Sequence, residues 1–265
     1  MIELNRIAFT IFGIDVYYYG LIMAGAILGC LIVAIILCKV KKIETMQPIE
    51  LFLSIVPSGI IGARLFSIIF EKSLTITDFF DFRSGGMSIM GALIGGALGL
   101  LIYTLITKKS FLMLADIITS VLLLGQSIGR WGNYFNKEVY GQEIVKESLQ
   151  FFPFGVQING TWYEALFFWE SVLSILGFII LLIVYIKTSK KGLVTGIYLL
   201  YYGTIRVILE SRRQSEYILA IGNLQVSSLV SVLLIVSGIA IITYIVIKNL
   251  KGKKENSFGR KKVHK

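Results

Sequence analysis

The chain is poor in the residues that most enzymes use for chemistry. It has one histidine, His264, in a basic tail, and two cysteines, Cys30 and Cys38, both in the first apolar run. A Ser-His-Asp or Cys-His mechanism built from the chain's own side chains is therefore excluded as a working idea. Two cysteines with no further ligands nearby give neither a metal spacing nor a disulfide framework, so no metal or other cofactor is expected. They read as small apolar packing residues. Only three prolines occur in 265 residues, which suits long uninterrupted helices. Charged residues are scarce at 16%, too few for a soluble domain of this size.

Apolar residues are abundant instead. They make up 55% of the chain, mean hydropathy is +0.78, and runs of about 20 apolar residues recur throughout. These features describe an all-α, polytopic membrane protein, because backbone in hydrocarbon must satisfy its own hydrogen bonds. Seven spans are expected, at 16–38, 50–70, 87–107, 111–129, 165–186, 192–211 and 225–247. Asp15 precedes the first, which lacks a small-residue cleavage site and reads as a retained helix. Residues 1–250 then form one integral-membrane domain with a loop region near 130–163, and 251–265 form a basic tail.

The formal charge of +10 is distributed as membrane topology requires, and no nucleic-acid partner is expected. Alternate loops and the tail place sixteen basic residues on one side and eight on the other, with Arg64 and Arg206 left inside spans. The positive-inside rule puts the N-terminus out and the C-terminus in, with the tail cytoplasmic. An odd number of spans agrees with that result. Residues 130–163 then face outward, with Phe151, Phe152, Phe154, Trp162 and Tyr163 suited to the interfacial zone.

One stretch is suddenly polar. Gly129–Gly141 follows about twenty mostly apolar residues and brings Arg130, Asn133, Asn136 and Glu138 within nine positions. Its three glycines, Gly129, Gly132 and Gly141, suit tight turns and close backbone approach. Inside spans lie Arg64, Asp116, Glu170, Arg206 and Glu210, each costly at that depth. Asp116 and Glu170 read as supporting or structural partners. Arg206 and Glu210 are spaced i, i+4 and can pair on one helix face, with Arg213 continuing the stripe. Two outer arginines, Arg130 and Arg206, would make an anion site, and the anion of an outer leaflet is a phospholipid headgroup. Tyr17, Tyr18 and Tyr19 open span one, either as an interfacial belt or with one hydroxyl reaching the site. Gly91, Gly95 and Gly99 recur at i+4 and read as a helix-packing face.

The polar stretch closely resembles the prolipoprotein diacylglyceryl transferase signature, Gly-Arg-x-Gly-Asn-Phe-x-Asn-x-Glu-x-x-Gly, with Tyr134 in place of Phe. Three further blocks resemble that family in the expected order: Tyr18-Tyr19-Gly20, Gly62-Ala63-Arg64, and Arg206-x-x-x-Glu210-x-x-Arg213. The resemblance runs from Tyr17 to about Glu216. It implies transfer of the diacylglyceryl group of phosphatidylglycerol to the lipobox cysteine thiol of an exported prolipoprotein. A thioether forms and glycerol 1-phosphate leaves, at the outer face of a bacterial cell membrane. By that resemblance Arg130, Arg206, Glu138 and Tyr19 are catalytic. Arg130, Asn133, Asn136, Gly141, Arg206 and Glu210 bind phosphatidylglycerol. The nucleophile belongs to the substrate, which agrees with a chain that needs no catalytic cysteine.

Two blocks depart from the family. Met90 stands where many members carry His and others Tyr, so any proton-accepting role at that position is absent. The block usually written His-Pro-x-x-Leu-Tyr-Glu is here Glu164-Ala165-Leu166-Phe167-Phe168-Trp169-Glu170, which keeps only the final Glu among the polar positions. The acceptor of the thiol proton stays open among Glu138, Tyr19, the lipid phosphate and water. Two other readings stand beside the enzyme: a divergent, non-catalytic lipid-binding paralogue, and a transporter for an organic anion.

Overall fold

The structure is a computed structural model, and it describes residues 6–71, 75–81, 86–214, 220–221 and 224–263. Arg83, Gly85 and His264 lie outside the described residues. Seven helices among the described residues are long and apolar enough to cross a membrane. They are α1 (Tyr18–Val40), α2 (Met46–Phe66, continued by a π turn at Ser67–Glu71), α3 (Ile89–Thr107), α4 (Phe111–Asn136), α5 (Leu166–Lys187), α6 (Leu193–Glu210) and α7 (Val226–Val263). Three small antiparallel hairpins join them: β1 (Ile7–Ile11) with β2 (Ile14–Tyr17), β3 (Gly155–Ile158) with β4 (Thr161–Glu164), and β5 (Ala220–Ile221) with β6 (Leu224–Gln225).

The main departure from expectation concerns span four. It does not end at Gly129 but runs on to Asn136. Gly129 and Gly132 are therefore helical, and neither serves a turn. The helix stops because Lys137 takes a left-handed backbone, φ 56°. Its N–H donates to the Tyr134 carbonyl, and the Glu138 N–H donates to the Asn133 carbonyl. That is the paired hydrogen-bond pattern of a Schellman cap, formed here without glycine.

The chain divides into two compact units, Leu31–Ile118 and Met1–Cys30 with Thr119–Lys265. In the first unit α2 and α3 pack through glycine. A Cβ on Gly62 would lie 2.8 Å from the Gly95 Cα, and a Cβ on Gly99 would lie 2.8 Å from the Ser54 carbonyl oxygen. The Gly91-Gly95-Gly99 stripe is thus a packing face, as expected. Arg64, fully buried, is a clamp. Its Nε donates to the Phe79 carbonyl at 3.1 Å, Nη1 to Gly86 at 3.3 Å, and Nη2 to Asp78 at 2.6 Å and to Asp81. A guanidinium at this depth needs acceptors, and here backbone carbonyls supply them.

In the second unit α6 and α7 pack through Gly196, Gly203 and Gly238, where a Cβ would meet backbone or side-chain atoms at 2.7–2.9 Å. Cys30 is buried, donates to the Val121 carbonyl at 3.2 Å and lies against Gly125. That is the structural role expected for it. The β3–β4 hairpin turns at Asn159-Gly160, both with positive φ, the residue pair that a two-residue turn favours. Val156, Ile158, Ala165 and Phe167 form its core, covered by Tyr134, Tyr140, Tyr163 and Phe168.

Candidate active site

The second unit brings together every sequence-predicted site residue: Tyr19, Arg130, Asn133, Asn136, Glu138, Gly141, Arg206 and Glu210. They come from the start of α1, the end of α4, the segment after α4 and the end of α6. Successive membrane spans alternate in direction, so these ends belong to one face of the bundle, as do the starts of α5 and α7.

The centre is an ion cluster. Arg130 Nε pairs with Glu170 Oε2, and Glu170 Oε1 accepts from Arg206 Nη1 at 2.9 Å. Arg206 Nη2 donates to Glu210 Oε2 at 2.5 Å, and Arg213 Nη1 lies 3.7 Å from the same oxygen. Ser227, at the start of α7, donates to Glu210 Oε1. Side-chain exposure is 14% for Arg130, 11% for Arg206 and 12% for Arg213, against 7% for Glu170 and 2% for Glu210. The carboxylates are shut in while the guanidiniums keep one accessible side. Three guanidiniums against two carboxylates leave a surplus of one positive charge in this cluster. Such a surplus attracts anions.

Glu170 therefore has a larger part than its sequence position suggested. It was expected only as a supporting partner, yet it bridges the two arginines. The signal was present, since a carboxylate inside an apolar span needs a cation. Tyr202 was not anticipated. It lies one turn before Arg206 on α6, stacks on Tyr198 at 5.8 Å between ring centroids, and interacts with Arg130. Arg213, just past α6, has its pKa held below the ordinary arginine value by burial and then by the Arg206 guanidinium, with Glu170 and Glu210 opposing.

A second polar patch lies beside the cluster. Asn133 Nδ2 and Asn136 Nδ2 each donate to Glu138 Oε1 at 3.2 Å. The Schellman turn makes this possible by folding residue 138 back over the last helical turn. Tyr19 joins the patch to the cluster, lying within electrostatic reach of both Glu138 and Arg130. Gly132 makes room for it: a Cβ there would stand 2.6 Å from the Tyr19 ring. Gly141 serves an equally close approach. Its N–H donates to the Glu164 carbonyl at 2.9 Å, it bridges to Arg213, and a Cβ would meet the Glu164 side chain at 2.6 Å.

Arg64 belongs to the other unit and is spent on backbone carbonyls. Met90 sits partly buried in the first turn of α3, also in that unit. Glu164 of the altered block forms a 3.4 Å ion pair with the exposed Arg212.

Seven spans and a buried arginine–glutamate cluster with surplus positive charge define a multi-pass membrane protein with a cationic cluster among its helix ends. The family model for prolipoprotein diacylglyceryl transferase matches residues 6–244, and the chain belongs to that family. Similar proteins named phosphatidylglycerol–prolipoprotein diacylglyceryl transferase include one from Clostridium botulinum (strain 657 / Type Ba4), 38% identical over 93% of this chain and 100% of its own length. One from Finegoldia magna is 37% identical over 89% of this chain and 94% of its own. A third, from Clostridium perfringens and named as transferase 1, is 36% identical over 95% and 98%.

Proposed function

We propose that this chain moves the diacylglyceryl group of phosphatidylglycerol onto the cysteine thiol of a prolipoprotein lipobox at the outer face of a bacterial membrane. The observation that carries this reading is the ion cluster, whose surplus charge suits a phosphodiester. The substrates named for the relatives fit that chemistry. The outward orientation rests on the sixteen-to-eight asymmetry of basic residues.

Arg130 and Arg206 hold the lipid phosphate and receive the charge that develops as it leaves. Glu170 and Glu210 fix the two guanidiniums, and Asn133, Asn136 and Gly141 shape the wall around the headgroup. The cysteine sulfur attacks the glyceryl CH₂ that is esterified to phosphate. A C–S bond forms, the C–O bond breaks, and its electron pair leaves on the phosphate of glycerol 1-phosphate. Glu138 is the candidate acceptor for the thiol proton. Its Oε1 is occupied by two amides, and Oε2 accepts no hydrogen bond from a described side chain. Tyr19 stands between this carboxylate and Arg130 and orients the thiol.

The test supplies purified protein with phosphatidylglycerol labelled in its diacylglyceryl glycerol and a lipobox peptide. A labelled, hydroxylamine-stable thioether peptide is the expected product. Its absence, with membranes of an active relative positive in parallel, overturns the reading.

A further inference from the structure

A separate cavity of about 590 Å³ opens in the second unit, lined by Arg6, Ile7, Tyr17, Lys137, Tyr140, Ile158 and Asn159. Its size is that of a small-molecule site. Two features set its chemistry. Among the described residues the lining contains two cations and no carboxylate. Among the described residues neither cation forms an ion pair, and Arg6 Nη2 donates to the Asn136 carbonyl at 2.8 Å. Tyr17 and Asn159 add polar groups able to meet hydroxyls.

This cavity abuts the site without being part of it. A gap of about 10 Å³, room for about one water, is lined by Asn133, Glu138 and Phe167 together with Lys137, Tyr140 and Ile158 of the larger cavity. Asn136 links the two directly, since its carbonyl accepts from Arg6 while its side chain donates to Glu138.

We infer that this cavity is a binding site for a soluble phosphate monoester of a small polyol, the class to which the leaving group belongs. The inference rests on the transferase reading for its choice of ligand. A phosphate monoester carries about −1.5 to −2 at neutral pH, which two cations match. The diester of the parent lipid carries a single negative charge, which the surplus charge of the ion cluster matches. The two anions of the reaction thus have two sites of different charge. The open, polar cavity suits the product that must enter water, while the lipid product stays in the bilayer.

The probe is glycerol 1-phosphate, followed by phosphorus NMR on the full chain in detergent micelles. Arg6→Gln/Lys137→Gln is expected to weaken binding about tenfold or more, because two charge-assisted hydrogen bonds are lost. Lys137→Arg, which keeps the charge, binds within about twofold of wild type and shows that any loss is not one of folding. Phosphatidylglycerol in nanodiscs does not displace the probe. Unchanged binding in the double variant, or displacement by the lipid, overturns the site. Loss of probe binding in Arg130→Gln with retention in the double variant overturns it equally. Retained probe binding by a wild-type protein that forms no thioether leaves the site standing and removes the transferase reading.

Discussion

Glu170 accepts from Arg206 at 2.9 Å on one carboxylate oxygen and holds Arg130 on the other, so a single side chain of α5 sets the spacing of the two arginines. All three groups are largely buried. Removing the bridge leaves Arg206 with Glu210 alone and takes away the carboxylate that pairs with Arg130. Glu170→Gln is expected to destabilise the protein by about 3–5 kcal/mol, the range for breaking a buried pair. It should also lower the transfer rate by about 10²–10³-fold. Thermal unfolding in detergent and the thioether assay measure the two effects. A variant with wild-type melting and wild-type rate would show that the arginines are positioned by something else.

Arg130→Ala and Arg206→Ala each remove one donor to the phosphate, and each is expected to cost at least about 10²–10³ in rate. Cys30→Ala serves as the contrast. Its sulfur is buried against Gly125 and bonded to the Val121 carbonyl, remote from any reacting group. Activity should persist in Cys30→Ala, with a stability loss of about 1 kcal/mol for the lost hydrogen bond. Full activity in Arg130→Ala removes that residue from the site.

Much of this was legible in the sequence because membranes make polarity conspicuous. The seven spans follow from apolar length, and Arg206–Glu210 follows from i, i+4 spacing. The Gly91-Gly95-Gly99 face follows from small residues one turn apart. The end of span four did not follow, because Gly129 and Gly132 look like helix breakers when their neighbours are unknown. Their reason lies on α1: Met23 stands 3.2 Å from a Cβ at 129, and Tyr19 stands 2.6 Å from one at 132. The hairpin at Asn159-Gly160 carried its turn signal openly, but it was overshadowed by the apolar runs around it. The Glu170 bridge joins residues 36 and 40 positions apart, and no spacing rule reaches that far.

The glycine argument separates two neighbouring positions. At 132 a methyl group would meet a ring packed inside the site, which cannot yield without moving the Tyr19 hydroxyl. At 129 it would meet the sulfur of a flexible methionine. Gly132→Ala is therefore expected to cost about 1–3 kcal/mol from overpacking and to reduce transfer about as much as Tyr19→Phe does. Gly129→Ala should cost less than about 1 kcal/mol and keep activity. Equal behaviour of the two alanine variants would mean that Tyr19 is not held by Gly132.

Arg213 supplies the charge by which the cluster exceeds neutrality, and its role can be isolated. Burial and Arg206 lower its pKa, so the unfolded chain holds the proton more tightly than the folded one. Between those two values stability rises with pH. Substitution is the usable probe. Arg213→Gln leaves Arg130 and Arg206 balanced by Glu170 and Glu210, and the surplus charge is gone. The backbone at 213 stays fixed through its bridge to Gly141, so the fold survives the change. The expected result is a KM for phosphatidylglycerol raised about 10- to 100-fold, the equivalent of one hydrogen bond to a charged group, with kcat nearly unchanged. Arg213→Lys should recover part of that loss, because a point charge restores the balance without the planar fork. A large fall in kcat with an unchanged KM would instead place Arg213 with the groups that stabilise the departing phosphate.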